Sequence, residues 1–161
     1  MCLGRTLDGA PIDLLRIGTP GKLVVWAIAR QHPGESMASW WMEGFLARLL
    51  DGSDPVATKA LQEAIFYVVP NMNVDGSRRG HLRTNAAGAN LNREWQEPKE
   101  DYSPEVFYVR NAMDATGMDL MLDVHGDEAL PYNFISGSEG VPCWDERLKI
   151  LQTKFLQEYV C

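Results

Sequence analysis

Long apolar runs, basic stretches, cysteine pairs and internal repeats are all missing from this 161-residue sequence. No segment approaches the ~20 consecutive apolar residues that a bilayer-spanning helix needs. The opening MCLGRTLDGA also has no apolar core of a secretory leader. The reading is a cytoplasmic protein with no membrane partner. Acidic residues outnumber basic ones by 22 to 15, giving a net charge of −7 with no basic stripe. That excludes a nucleic-acid-binding surface. Cys2, Cys143 and Cys161 are odd in number and lack CxxC spacing, so they read as free thiols rather than a disulfide or metal framework.

What is present is enough for one domain. The sequence is 45% hydrophobic and 23% charged, the balance of a folded chain with its own core. Arg5 to Gly18 holds two extended runs around Asp8-Gly9, a hairpin signal. Lys22 to Ala29 is a continuous apolar run typical of a strand buried on both faces. Ser36 to Leu50 has helical periodicity, with Ser36 as its cap and Asp51-Gly52 as its stop. Leu61 to Val69 predicts a second buried strand ended by Pro70. Residues 70–103, rich in Asn, Gly and Arg, predict a long functional loop. Pro104 to Thr116 predicts a helix with proline in its first turn. Asp119 to Val124 predicts a third strand, Tyr132 to Ile135 a short one, and Trp144 to Val160 a final helix. Strands alternating with helices point to an α/β fold with a mixed, largely parallel sheet flanked by helices.

In such sheets ligands bind beyond the carboxyl ends of the strands. His32 and Glu35 follow the first buried strand, Asn71 to Gly76 the second, and His125 the third. Two histidines and one glutamate are a known ligand set for zinc, leaving one position open for water. The short Pro33-Gly34 turn allows His32 and Glu35 to face one ion. On spacing alone a second reading stands beside this one: a histidine satisfied by backbone groups and a glutamate capping the following helix. The loop adds Arg83 and the pair Asn92-Arg93, whose side chains suit a substrate carboxylate and a polarised carbonyl. Here too, arginines paired with the acidic Glu94 to Asp101 tract are the simpler alternative. His81 reads as a surface histidine, and Trp40-Trp41 as helix packing.

Taken in order, His32-Pro33-Gly34-Glu35, Asn73-Val74-Asp75-Gly76, Arg83, Asn90-Leu91-Asn92-Arg93 and Asp123-Val124-His125-Gly126 resemble zinc carboxypeptidases of the M14 type. LGRTLDGAPIDLLRIG, the HPGE form and the NLNREW form look most like the cytosolic carboxypeptidase subfamily. The resemblance runs from about Leu3 to Gly137. It implies that His32, Glu35 and His125 bind one Zn2+ per chain, and that Arg83 polarises the scissile carbonyl and stabilises the oxyanion. It also implies that Asn92 and Arg93 grip the substrate's terminal carboxylate. Asn90, where many members carry aspartate, and Asp123 would support the histidines from behind. Val74 replaces a proline of the family pattern.

The implied activity is zinc-dependent hydrolysis of the C-terminal peptide bond of peptides or protein tails. The family's general-base glutamate lies well downstream of the third ligand. The later glutamates here, Glu128, Glu139, Glu146 and Glu158, do not sit in its context, and Glu128 is a poor local substitute. The expectation is therefore a partial catalytic domain over residues 1–161, opened by an N-terminal hairpin over 1–18 and incomplete at its C-terminal side, with an exposed sheet edge. Two other functions fit the same ligands: an aspartoacylase-like amidohydrolase acting on N-acyl amino acids, and a zinc-binding remnant without catalysis.

Overall fold

The computed structural model describes residues 1–21, 23–130 and 132–159, which form two compact units, 1–126 and 127–161. The first unit is built on a four-stranded sheet of order β3-β5-β4-β6. Its strands are β3 (Leu15–Gly18), β4 (Leu23–Ala29), β5 (Ala64–Val69) and β6 (Leu120–Val124). β4 pairs in parallel with both β5 and β6, whereas β3 runs antiparallel to β5. The sheet is therefore mixed and largely parallel, as the sequence predicts. β1 (Cys2–Arg5) and β2 (Pro11–Asp13) form a separate antiparallel ribbon. The Asp8-Gly9 turn is thus a hairpin, and the run after it divides between β2 and β3.

The period-two alternation of β4 sorts its side chains onto two faces. Val25, Ala27 and Ala29 join Phe66 and Val68 of β5 beneath α1 (Met37–Leu49), where Ala38, Met42 and Leu49 are buried. Trp26 and Ile28 join Val69, Met72 and Leu91 with Val106, Val109 and Met113 of α4 (Pro104–Thr116). A sheet covered on both faces explains why β4 is apolar without a break. Trp26 is fully buried, stacks on Tyr67 at 5.0 Å and donates its indole N–H to Thr116 Oγ1 at 3.1 Å.

Several local expectations need correction. Residues 61–63 belong to α2 (Pro55–Glu63), a helix that Asp54 caps by accepting from the Val56 and Ala57 amides, so β5 starts only at Ala64. Ser36 makes no side-chain cap bond to α1. The 70–103 segment carries α3 (Val74–Arg79), capped by Asn73 Oδ1 on Gly76 N, and a 3₁₀ turn over Leu91–Arg93. Tyr132 to Ile135 contains no strand among the described residues. Trp40 is 73% exposed, so of the pair only Trp41 packs, stacked on Phe45 at 5.0 Å. The expected strand start at Lys22, the helix end at Val160 and the thiol of Cys161 lie outside the described residues.

In the second unit α5 (Glu146–Tyr159) buries none of its residues. Its N-terminal turn is capped by Asp145 Oδ1, which accepts from Leu148 N at 2.7 Å. Among the described residues of the first unit β6 pairs on one side only, with β4, and Leu120 is 38% exposed. No helix of the described chain is long and apolar enough to cross a membrane.

Candidate metal centre

Three chain segments meet where the parallel strands end. Beyond β4, Arg30 takes a left-handed conformation with φ 63°, an uncommon state for a residue with a Cβ. Its guanidinium turns back onto the Pro33 carbonyl at 2.7 and 3.0 Å and donates to Ser39 Oγ at 2.8 Å. Gly34 N donates to Leu82 O at 2.8 Å, and Asn73 Nδ2 donates to Gln31 O at 3.0 Å. The His32–Glu35 turn is thus fixed by the segment after β5.

Glu35 divides its carboxylate between two histidines. Oε1 lies 2.7 Å from His32 Nδ1, and Oε2 lies 2.9 Å from His125 Nδ1 and 3.1 Å from Gly126 N. The two imidazole rings are 4.8 Å apart and tilted by 49°. Ligand atoms from His32, Glu35 and His125 all lie within 4.8 Å of one another. Each histidine turns its other nitrogen to an oxygen: His32 Nε2 to Asn90 Oδ1 at 2.9 Å, and His125 Nε2 to Asp123 Oδ2 at 3.0 Å. Asn90 Oδ1 also accepts from the amide N–H of Asn92 at 3.2 Å, which settles that the oxygen faces His32. Both Nδ1 atoms therefore face the Glu35 carboxylate, and with their protons displaced the three groups make a donor set that fits a divalent cation favouring nitrogen and oxygen.

The electrostatics are those of a site primed for positive charge. Burial pushes the Glu35 carboxyl up, but hydrogen bonds from His125, Gly126 N and His32 outweigh it and bring the pKa to about 2. Burial pushes His125 down, yet bonds to Asp123 and Glu35 and their negative charge raise it to about 9.

The loop residues fall into two groups. Asn90 is held against His32, and Asn92 and Arg93 lie in the 3₁₀ turn that it caps. Asn85 explains why this stretch keeps its shape: it is fully buried, and its Oδ1 accepts from Ala87 N and Ala89 N, both at 2.9 Å. Its Nδ2 donates to Tyr102 O at 2.9 Å and to Glu105 Oε2 at 3.1 Å. Arg83 and Arg93 are exposed. Arg83 makes no ion pair among the described residues, and Arg93 donates only to the neighbouring Asn92 carbonyl, at 3.2 Å. Pairing with the acidic tract, the simpler reading of these arginines, is therefore not found. His81 Nδ1 lies 3.1 Å from the Thr84 and Asn85 carbonyls, a structural contact as expected. Gln31 and Trp95 also reach this centre, and sequence reasoning gave neither a role. Their adjacency to His32 and to the Asn92-Arg93 pair was the available signal.

The zinc carboxypeptidase family profile matches residues 1–158. The chain belongs to the zinc carboxypeptidase family. A Zymomonas mobilis protein is 57% identical over 157 residues, 98% of this chain and 40% of that protein. Human cytosolic carboxypeptidase 1 is 38% identical over 89 residues, 55% of this chain and 7% of that protein. The structure of a metallo-carboxypeptidase from Burkholderia cenocepacia superposes with a TM-score of 0.94 at 52% identity, covering 98% of this chain and 44% of that one. The Pseudomonas aeruginosa metallo-carboxypeptidase in complex with (2-guanidinoethylmercapto)succinic acid gives 0.92 at 48% identity, over 96% and 42% of the two chains. This zinc carboxypeptidase chain thus spans about two fifths of the length of its near full-coverage relatives.

Proposed function

We propose that the protein serves a zinc-dependent metallocarboxypeptidase, hydrolysing the C-terminal peptide bond of peptides or protein tails, with His32, Glu35 and His125 holding one Zn2+. The observation that carries this reading is the convergence of both Nδ1 atoms on the Glu35 carboxylate while both Nε2 atoms are engaged elsewhere. Zinc held there supplies a Lewis acid that polarises a carbonyl and acidifies a water.

The protein's own residues supply the rest. Asn90 Oδ1 and Asp123 Oδ2 keep a proton on each Nε2, which leaves each Nδ1 as the ligating atom. Arg83, a guanidinium with no ion pair among the described residues, stabilises charge developing on the carbonyl oxygen of the scissile bond. Asn92 and Arg93 recognise the free terminal carboxylate through charge-assisted hydrogen bonds. Their fixed spacing from Asn90 ties the carboxylate grip to the metal centre. We read residues 1–161 as part of the catalytic domain.

The test combines elemental analysis with peptide hydrolysis. Near one zinc per chain, lost in His32→Ala, supports the ligand set. Release of a C-terminal residue from a free-acid peptide, and not from its amidated counterpart, supports the reaction. Faster turnover of an acetylated amino acid than of a dipeptide would replace this reading with an amidohydrolase.

A further inference from the structure

Gln31 is fully buried between the ends of β4 and β6, and each end of its amide has a defined partner. Trp95 Nε1 donates to Gln31 Oε1 at 2.8 Å. An indole N–H can only donate, so the amide cannot be flipped, and its NH₂ group must face the other way. There it donates to Asp123 Oδ2 at 2.7 Å. The same carboxylate oxygen lies 3.0 Å from His125 Nε2, and Gln31 Nε2 stands 3.5 Å from that ring nitrogen. Two nitrogens placed around one acceptor are both donors. Trp95, Gln31 and Asp123 thus form a directional chain in which each group's role is set by the one before it.

We propose that Gln31 is a positioning residue, fixed by Trp95, that holds Asp123 so that His125 keeps a proton on Nε2 and turns Nδ1 towards Glu35. The role of that Nδ1 as a zinc ligand rests on the function proposed above. The amide suits the task because it delivers a donor without adding charge, so the Asp123 carboxylate keeps its full attraction for the imidazole N–H. A core-filling glutamine would need hydrogen-bonding partners too, but not a donor aimed at the acceptor of a histidine.

The experiment uses the full 161-residue chain with ¹⁵N-labelled histidine, comparing wild type with Gln31→Met, Gln31→Glu and Trp95→Phe. Gln31→Met keeps the length and removes both polar ends. Gln31→Glu keeps an acceptor for Trp95 and loses the donor to Asp123. In the metal-free chain we expect exchange of the His125 Nε2 proton with water to quicken about tenfold or more in both Gln31 variants. Zinc affinity, measured by competition with a chelating dye, should fall roughly 10- to 100-fold, the usual cost of losing a partner behind a ligand. Trp95→Phe should move both readouts in the same direction by less. Folded variants with wild-type proton exchange overturn the proposal, and so does a Gln31→Glu chain indistinguishable from wild type. If Gln31→Met does not fold, Gln31→Glu and Trp95→Phe decide the matter by the same readouts. Wild type taking up no zinc would sink the ligand assignment, while proton exchange would still decide the role of Gln31.

Discussion

Glu35 Oε2 lies 2.9 Å from His125 Nδ1 across 90 residues of sequence, and the same carboxylate meets His32 through its other oxygen. One short side chain therefore joins the ends of two neighbouring parallel strands. Replacing Glu35 with glutamine keeps the shape and removes the charge. We expect zinc affinity to fall by more than the ~10- to 100-fold that follows loss of an outer partner. Chelator competition measures it, and an unchanged affinity would remove Glu35 from the ligand set.

Asn90 offers His32 an oxygen without a negative charge. Asn90→Asp should strengthen zinc binding, because a carboxylate raises the basicity of the imidazole it holds. Asn90→Ala should weaken it about 10- to 100-fold. The opposite order would show that Asn90 serves only the 3₁₀ turn.

Without metal the site should show its charges as pH-dependent stability. The His125 pKa is raised from 6.5 to about 9. Its contribution is therefore fully present below pH 6.5 and lost as pH rises through 9. The Glu35 pKa is lowered from 4.5 to about 2, so its contribution is present above pH 4.5 and lost as pH falls through 2. Denaturant midpoints of the metal-free chain should fall on both flanks. His125→Gln should flatten the alkaline flank.

Arg93 is exposed and, among the described residues, bonded only to its neighbour's carbonyl, so its remaining donors are available to a ligand. In a form with hydrolytic activity, Arg93→Ala should raise KM for free-acid peptides about 10- to 100-fold, the scale of a lost charged hydrogen bond. It should leave amidated substrates unaffected. Equal loss on both would take away the role assigned to it.

Gly76 lies where the loop packs against Pro33 of the His32 turn. A Cβ there would meet Asn73 Oδ1 and Pro33 Cγ at 2.5 Å and the Thr84 carbonyl at 2.6 Å. Gly76→Ala should destabilise the chain by about 1–3 kcal/mol through overpacking and loosen zinc binding with it. A calorimetric melt of the metal-free form separates the two effects.

The parts of the fold legible in the sequence were those with strong periodicity or clear punctuation. β4 announced itself through an unbroken apolar run, and α4 through Pro104 at its start. The α2–β5 boundary was misread because Leu61 suits a helix or a strand, and the Asp54 cap that decides it lies seven positions earlier. Tyr132 to Ile135 has strand composition, but composition cannot supply a pairing partner. The grouping of His32, Glu35 and His125 was visible as motifs at the ends of strands. The Gln31 chain was not, because it joins residues 64 and 92 positions apart, and no local pattern encodes a contact across such distances.

Among the described residues β6 pairs with β4 and no other strand, yet it delivers His125. The triad therefore cannot exist in a partly folded chain until a contact of long sequence separation has closed, the slow kind of event in folding. An ion held by these three residues stabilises only the species in which that closure is complete. During refolding, metal capture becomes a clock for the docking of one strand, and its lag behind helix formation measures the time that docking takes.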